Sequence, residues 1–74
     1  MLELDCRGLV CPAPVIELAR HVGDVEIGGL LGVVTTDAAA RVDVPAWCRM
    51  TGQEYVGEET AEDGTPRYVV RRID

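Results

Sequence analysis

The segment Cys11-Pro12-Ala13-Pro14 constrains the fold most, because it fixes where a helix can begin. Proline lacks an N–H and holds φ at about −65°, so a helix tolerates it in the first turn but not further along. Four apolar residues follow at the spacing that places them on one face of a helix, the face expected to be buried: Val15, Leu18, Ala19 and Val22. We expect a helix with Cys11 as N-cap, Pro12 as its first residue and Gly23 as the glycine that ends it.

Strand-like and helix-like segments alternate along the rest of the chain. Residues 2–5 alternate apolar and acidic side chains, and residues 30–36 form an apolar run typical of a central strand. Residues 37–52 are helix-like, with Asp37 as the expected N-cap and Gly52 as the stop, and Pro45 implies either a kink or a later start. Residues 54–60 and 67–73 are strand-like, and Asp63-Gly64 between them is a turn signal.

This order predicts an α/β (α+β) fold, a two-layer sandwich with the order β-α-β-α-β-β. We expect a single domain over residues 1–74, because a chain this short buries only about 60% of its unfolded surface. Two helices would cover one face of a four-stranded mixed sheet, with a parallel, right-handed first crossover and a final antiparallel hairpin. We expect Cys48 and Met50 to line the core and Trp47 to be half exposed.

The charge excludes some classes of partner. The net charge is −6 and all seven basic residues are arginines, whereas a nucleic-acid binder needs a basic face. We interpret Arg67, Arg71 and Arg72 as the solvated edge of a strand. The charge-free run 27–36 is far shorter than the roughly 20 residues that span a bilayer, and the acidic start is unlike a signal peptide. We expect a cytoplasmic protein that meets other proteins, without direct contact with nucleic acid or membrane.

The three cysteines are an odd number, so we expect reduced thiols rather than a disulfide scaffold. Cys6, Cys11, Cys48 and His21 lack the paired spacing of a zinc site, so we predict no metal and no cofactor. We expect His21 to lie on the exposed helix face and to pair with Glu17, too far from Cys11 to act as its base.

Cys11 is the candidate for chemistry. The positive end of a helix favours a thiolate over a thiol, and a thiolate activated this way suits exchange between sulfur atoms. Pro12 should hold Cys11 extended, Pro14 should stiffen the first turn, and the Ala13 N–H should be the main free donor for the sulfur. Arg7 is a second positive charge in the approach loop. Cys6 is either a packing residue or a resolving thiol for Cys11.

Residues 4–20, LDCRGLVCPAPVIELAR, contain a CPxP motif with Gly8, Cys11, Pro12 and Pro14 at specific spacings. Residues 43–56, DVPAWCRMTGQEYV, add an apolar-Pro segment followed by a Cys-bearing helix and a glycine. Together they resemble the TusA or SirA-like sulfur-carrier family. The resemblance implies a two-layer sandwich similar to the C-terminal domain of translation initiation factor three.

The same resemblance implies a sulfurtransferase that works as a carrier. Cys11 would accept sulfane sulfur as a persulfide from a cysteine desulfurase or rhodanese-like donor and pass it to an acceptor protein. The sulfur would feed tRNA thiolation, molybdenum cofactor maturation or sulfur oxidation.

Two other functions stay open from the residues. The first is a non-catalytic, redox-sensing interaction module in which Cys6 and Cys11 form a regulatory disulfide. The second is RNA binding by analogy of fold, which the net charge disfavours.

Overall fold

Strands and helices follow one another in the predicted order in the computed structural model, which describes residues 1–10 and 12–74. The elements are β1 (Leu2–Asp5), α1 (Ala13–His21), a 3-10 turn (Val22–Asp24), β2 (Leu30–Val34), α2 (Ala40–Thr51), β3 (Glu54–Thr60) and β4 (Pro66–Arg71). The four-stranded sheet has the order β1-β2-β4-β3. β1 pairs with β2 in parallel, and the other two pairs are antiparallel, so the predicted mixed sheet is confirmed. No helix in the described residues is long and apolar enough to span a bilayer.

The parallel pair sets the direction of both helices. Leu2 is level with Leu31 and Asp5 with Val34, so β1 and β2 end at the same edge of the sheet, which we call the carboxyl edge. β3 starts at the opposite edge, because Glu54 is level with Arg71. Each helix therefore begins near the carboxyl edge and runs back across the sheet, and α1 and α2 contact each other.

One face of the sheet forms the core with both helices. Alternate residues of β1, β2 and β4 point toward the helices, as expected of strands with one face covered. The buried cluster comprises Leu4, Cys6, Leu18, Leu31, Val33, Ala40, Val44, Trp47, Cys48, Tyr68 and Val70. The predictions of a central β2 and of a core position for Cys48 are confirmed.

Three predictions of side-chain exposure were wrong. Trp47 is buried, with only 9% of its surface exposed, whereas Met50 is 85% exposed. In α1 the buried residues are Pro14 and Leu18, and Ala19 faces solvent. The physical reason is that apolar residues three and four apart can lie on more than one face of a helix. The face that is buried is the one that packs best against the sheet.

The helix ends also differ in part from expectation. α1 ends at His21 and continues into the 3-10 turn, and Gly23 has no positive φ, so it is not the αL residue that we expected. Gly52 does end α2, with φ 81° and its N–H bonded to the Cys48 carbonyl at 3.0 Å.

The start of α2 is two residues later than a cap at Asp37 implies. The N-cap is Ala39, and the Asp37 Oδ1 accepts the Ala39 N–H at 3.0 Å in the preceding turn. Pro45 lies inside one continuous helix, so the alternative of a helix that starts at about Pro45 is wrong. That the helix is kinked at Pro45 stays a prediction.

The arginines of β4 are not at a strand edge, because β4 lies between β2 and β3. On the face away from the helices, Arg67 donates to Glu3 and Glu59, both at 2.8 Å. A Cβ on Gly32 would lie 2.8 Å from the Arg67 Cδ, so glycine leaves room for this arginine to cross β2. The prediction of an edge is therefore wrong for the β4 arginines, and Arg67 links β4 to Glu3 of β1 and Glu59 of β3 by ion pairs.

Leu18→Ala should lower the free energy of unfolding by about 2–5 kcal/mol, because Leu18 is fully buried between α1 and the sheet. Ile16→Ala is the matched control in the same helix, since Ile16 is exposed. Urea unfolding of both variants measures the difference. Equal losses would contradict the orientation of α1.

Candidate functional site

Two hydrogen-bonded turns lead from β1 into α1. The Leu9 N–H donates to the Cys6 carbonyl at 3.1 Å, and the Ala13 N–H donates to the Val10 carbonyl at 2.8 Å. Gly8 is the third residue of the first turn and has φ 79°, a conformation that favours glycine. The predicted importance of Gly8 therefore has a backbone reason. Cys11, which follows Val10 in sequence, lies outside the described residues, as do its predicted extended conformation and cap role.

The helix starts one residue later than expected. Pro12 is the N-cap, with φ −98° and ψ 18°, and its carbonyl accepts the Ile16 N–H at 3.1 Å. The Ala13 N–H is not the free donor that we expected, because the Val10 carbonyl already accepts it. Pro14 has no N–H, so Val15 carries the next backbone donor of the first turn.

Arg7 points its guanidinium at two carboxylates. Its Nε donates to the Asp63 Oδ2 at 3.0 Å, and its Nη1 lies 3.2 Å from the Asp5 Oδ1. Hydrogen bonds from Thr65 and, to a smaller degree, the bond from Arg7 lower the pKa of Asp63 to about 2. That Arg7 supplies a positive charge near Cys11 stays a prediction, because Cys11 lies outside the described part of the chain.

Cys6 and Cys48 are core residues, with exposed fractions of 1% and 2%. Burial raises the pKa of both thiols, that of Cys48 to about 11, and nearby Glu17 and Asp5 add to the effect at Cys6. Both thiols are therefore protonated at neutral pH. The interpretation of Cys6 as a packing residue is confirmed, while its pairing with Cys11 stays a prediction.

His21 is a surface residue at the far end of α1. Its Nδ1 lies 2.8 Å from the Asp24 Oδ2, and its Nε2 lies 3.8 Å from the Glu17 Oε1. The predicted pairing with Glu17 is confirmed, with Asp24 as a closer partner. Within the described residues, no three His, Cys, Asp or Glu side chains form a group that could hold a metal.

Sequence reasoning missed two features beside the motif. Leu9, Val10 and Ile16 are exposed apolar residues on either side of it, and Val10 has 72% of its surface exposed. Asp63 was recognised only as a turn residue, because nothing in the local pattern signals a partner 56 residues away. The motif is therefore flanked by apolar surface and tied to the distant hairpin.

The chain matches the family model described as sulfurtransferase TusA over residues 2–72. It is 47% identical over 70 residues to the sulfur carrier protein TusA of Pseudomonas syringae pv. syringae strain B728a, covering 95% of this chain and 82% of that protein. It is 45% identical over 69 residues to the protein of that name from Pseudomonas aeruginosa strain LESB58, covering 93% and 86%.

A solved structure, the SirA-like protein of Desulfitobacterium hafniense, shares the fold with a TM-score of 0.82. The match covers 100% of both chains at 21% identity. The resemblance predicted from residues 4–20 and 43–56 is thus confirmed. The likeness to translation initiation factor three stays a prediction.

Cys6 and Cys48 should resist alkylation in the folded chain at pH 8 and react rapidly in urea, because burial withholds both the thiolate and access to it. Iodoacetamide labelling followed by peptide mass spectrometry measures each site. Labelling of Cys48 at the same rate with and without urea would contradict its place in the core.

Proposed function

Because the chain belongs to the TusA sulfurtransferase family, we propose that it is a sulfur carrier in which Cys11 accepts sulfane sulfur as a persulfide and passes it to an acceptor protein. The observation that carries the proposal is the burial of the other two cysteines. Since Cys6 and Cys48 are held in the core as thiols, we assign the exchange with another protein to Cys11.

The start of α1 supports an anion at residue 11. Both helices begin near the carboxyl edge, so the positive ends of two helix dipoles lie on the same side of the molecule. Ala13 already donates to Val10 and Pro14 has no N–H, so we assign the Val15 N–H as the donor to the sulfur anion. Gly8 permits the preceding turn, and Pro12 and Pro14 stiffen the first turn of the helix.

The chemistry is an exchange of one sulfur atom without net oxidation. The Cys11 thiolate attacks the terminal sulfur of a donor persulfide, the donor S–S bond breaks, and the donor cysteine leaves as a thiolate. The persulfide now on Cys11 gives its terminal sulfur to a nucleophile of the acceptor, and Cys11 leaves as a thiolate. No step delivers a proton to carbon, which fits the position of His21, about 12 Å along the helix from Ala13.

The proposed partners are proteins. A cysteine desulfurase or a rhodanese-like protein would supply the sulfur, for tRNA thiolation, molybdenum cofactor maturation or sulfur oxidation. The exposed Leu9, Val10 and Ile16 offer apolar contacts around the motif, while the net charge of −6 disfavours nucleic acid. We place the exchange in the cytoplasm, where thiols stay reduced, and within one domain of residues 1–74.

A regulatory Cys6–Cys11 disulfide is the alternative function. It needs Cys6 to leave the core or an oxidant to enter it, because Cys6 is 1% exposed and burial raises its pKa. The sulfur-carrier proposal needs neither.

Incubation with a cysteine desulfurase and cysteine should add the mass of one sulfur atom to the intact chain. Cys11→Ser should abolish the gain, because it removes the attacking thiolate. Cys6→Ala and Cys48→Ala should retain it, and alanine avoids burying a hydroxyl in the core.

Intact mass spectrometry with and without a reductant makes the measurement, since a persulfide is removed by reduction. A gain of sulfur that persists in Cys11→Ser would overturn the proposal. Loss of two hydrogen atoms from the wild-type chain, with no added sulfur, would favour the disulfide.

A further inference from the structure

An ion pair joins the motif loop to the far end of the chain. Arg7 lies at the start of the loop that leads to Cys11, and Asp63 lies in the turn between β3 and β4. The Arg7 Nε donates to the Asp63 Oδ2 at 3.0 Å, while its Nη1 lies 3.2 Å from Asp5 at the end of β1. The planar guanidinium is thus held from two directions, which fixes its position better than one contact could.

The Asp63 side of this pair is rigid. The Asp63 Oδ1 accepts the Thr65 N–H at 3.0 Å, so the carboxylate is held by its own turn as well as by Arg7. The turn is closed by the Ala61 N–H, which donates to the Thr65 carbonyl at 2.8 Å, and both residues are buried. Because the pKa of Asp63 is lowered to about 2, its carboxylate stays charged at neutral pH, where the experiment below is carried out.

On the Arg7 side, the described backbone hydrogen bonds are all local to the loop. The described backbone hydrogen bonds of residues 7–10 are those of the two turns and the Arg7 N–H bond to Asp5 Oδ1 at 3.1 Å. The side chain of Arg7 therefore supplies a tertiary contact that the loop backbone lacks. It lines an open cleft of about 230 Å³ together with Ala61 and Glu62 of the hairpin turn, which shows that the two segments face each other.

We propose that Asp63 is a positioning residue for Cys11. Asp63 acts through Arg7, because their ion pair anchors the loop of residues 7–10 to the hairpin turn. The inference rests on the proposed function, in which Cys11 is the sulfur-bearing residue. A loosened loop would let the sulfur leave the positive end of α1, so less of it would be thiolate and exchange would slow.

If the charges of Arg7 and Asp63 acted directly on Cys11, the two substitutions would change its reaction rate in opposite directions. An anchor predicts changes in the same direction, so the direction of each rate change tests the proposal. If Arg7 acted only as a positive charge, Arg7→Gln would slow the reactions of Cys11. Removing the negative charge in Asp63→Asn would then accelerate them. If the pair acts as an anchor, both substitutions slow the reactions. Asparagine keeps an oxygen to accept the Thr65 N–H, so the turn itself is retained.

The experiment is a double-mutant cycle on the full chain. The rate of Cys11 alkylation by iodoacetamide at pH 7 is measured by peptide mass for the wild type, Arg7→Gln, Asp63→Asn and the double variant. We expect each single variant to be about threefold slower, the size expected of an exposed ion pair. The double variant should also be about threefold slower rather than about ninefold, since each substitution by itself already breaks the Arg7–Asp63 contact.

Two controls separate positioning from stability and from general charge. Glu62→Gln removes the same charge from the neighbouring exposed residue of the turn and should not slow alkylation. The pH midpoint of the alkylation rate should rise in both single variants, and all rates should converge at high pH where Cys11 is fully ionised. A general loss of stability would instead also expose Cys6 and Cys48 to the reagent.

Unchanged rates in both single variants, faster alkylation in Asp63→Asn, or a double variant about ninefold slower would each overturn the proposal. Loading by a small-molecule persulfide should slow by the same factors. A wild-type chain that is alkylated at Cys11 but accepts no sulfur would refute the proposed function, while the alkylation cycle would still decide the role of Asp63.

Discussion

The parallel pairing of β1 with β2 is the constraint on which the rest of the structure depends. Parallel neighbours need a crossover, so the chain must return from the end of β1 to the start of β2, and α1 is that return. The helix must therefore begin near the carboxyl edge, beside the end of β1. The same reasoning brings the start of α2 to that edge, so the positive ends of both helices lie at the same edge of the sheet.

The fold was predictable where local chemistry and tertiary packing agree. The apolar run of β2, the hairpin signal at Asp63-Gly64 and the stop at Gly52 each have a local physical cause that the folded chain keeps. Exposure was less predictable, as Trp47 and Met50 show. These two residues are three apart on one helix, yet their exposure differs because α2 packs against the sheet along a single face. The sequence does not show which face that is.

The candidate site was likewise predictable only where its features have a local cause. The motif identified Gly8, Pro12 and Pro14, whose roles follow from backbone conformation alone. It did not show that the Ala13 N–H is taken by Val10, because a turn that precedes a helix can consume the donor that a cap would use. Nor could it show the contact of Arg7 with Asp63, which exists only because the hairpin folds beside the end of β1.

The central claim is that sulfur is carried at the start of α1. The amide NMR spectrum of the uniformly 15N-labelled chain, before and after loading with sulfur, tests it most directly. The largest shift changes should fall on Val15 and Ile16, the first-turn donors nearest the assigned site. Largest changes at Gly52 and Gln53, whose N–H groups bond to the Cys48 carbonyl, would contradict the claim and move the sulfur to the core.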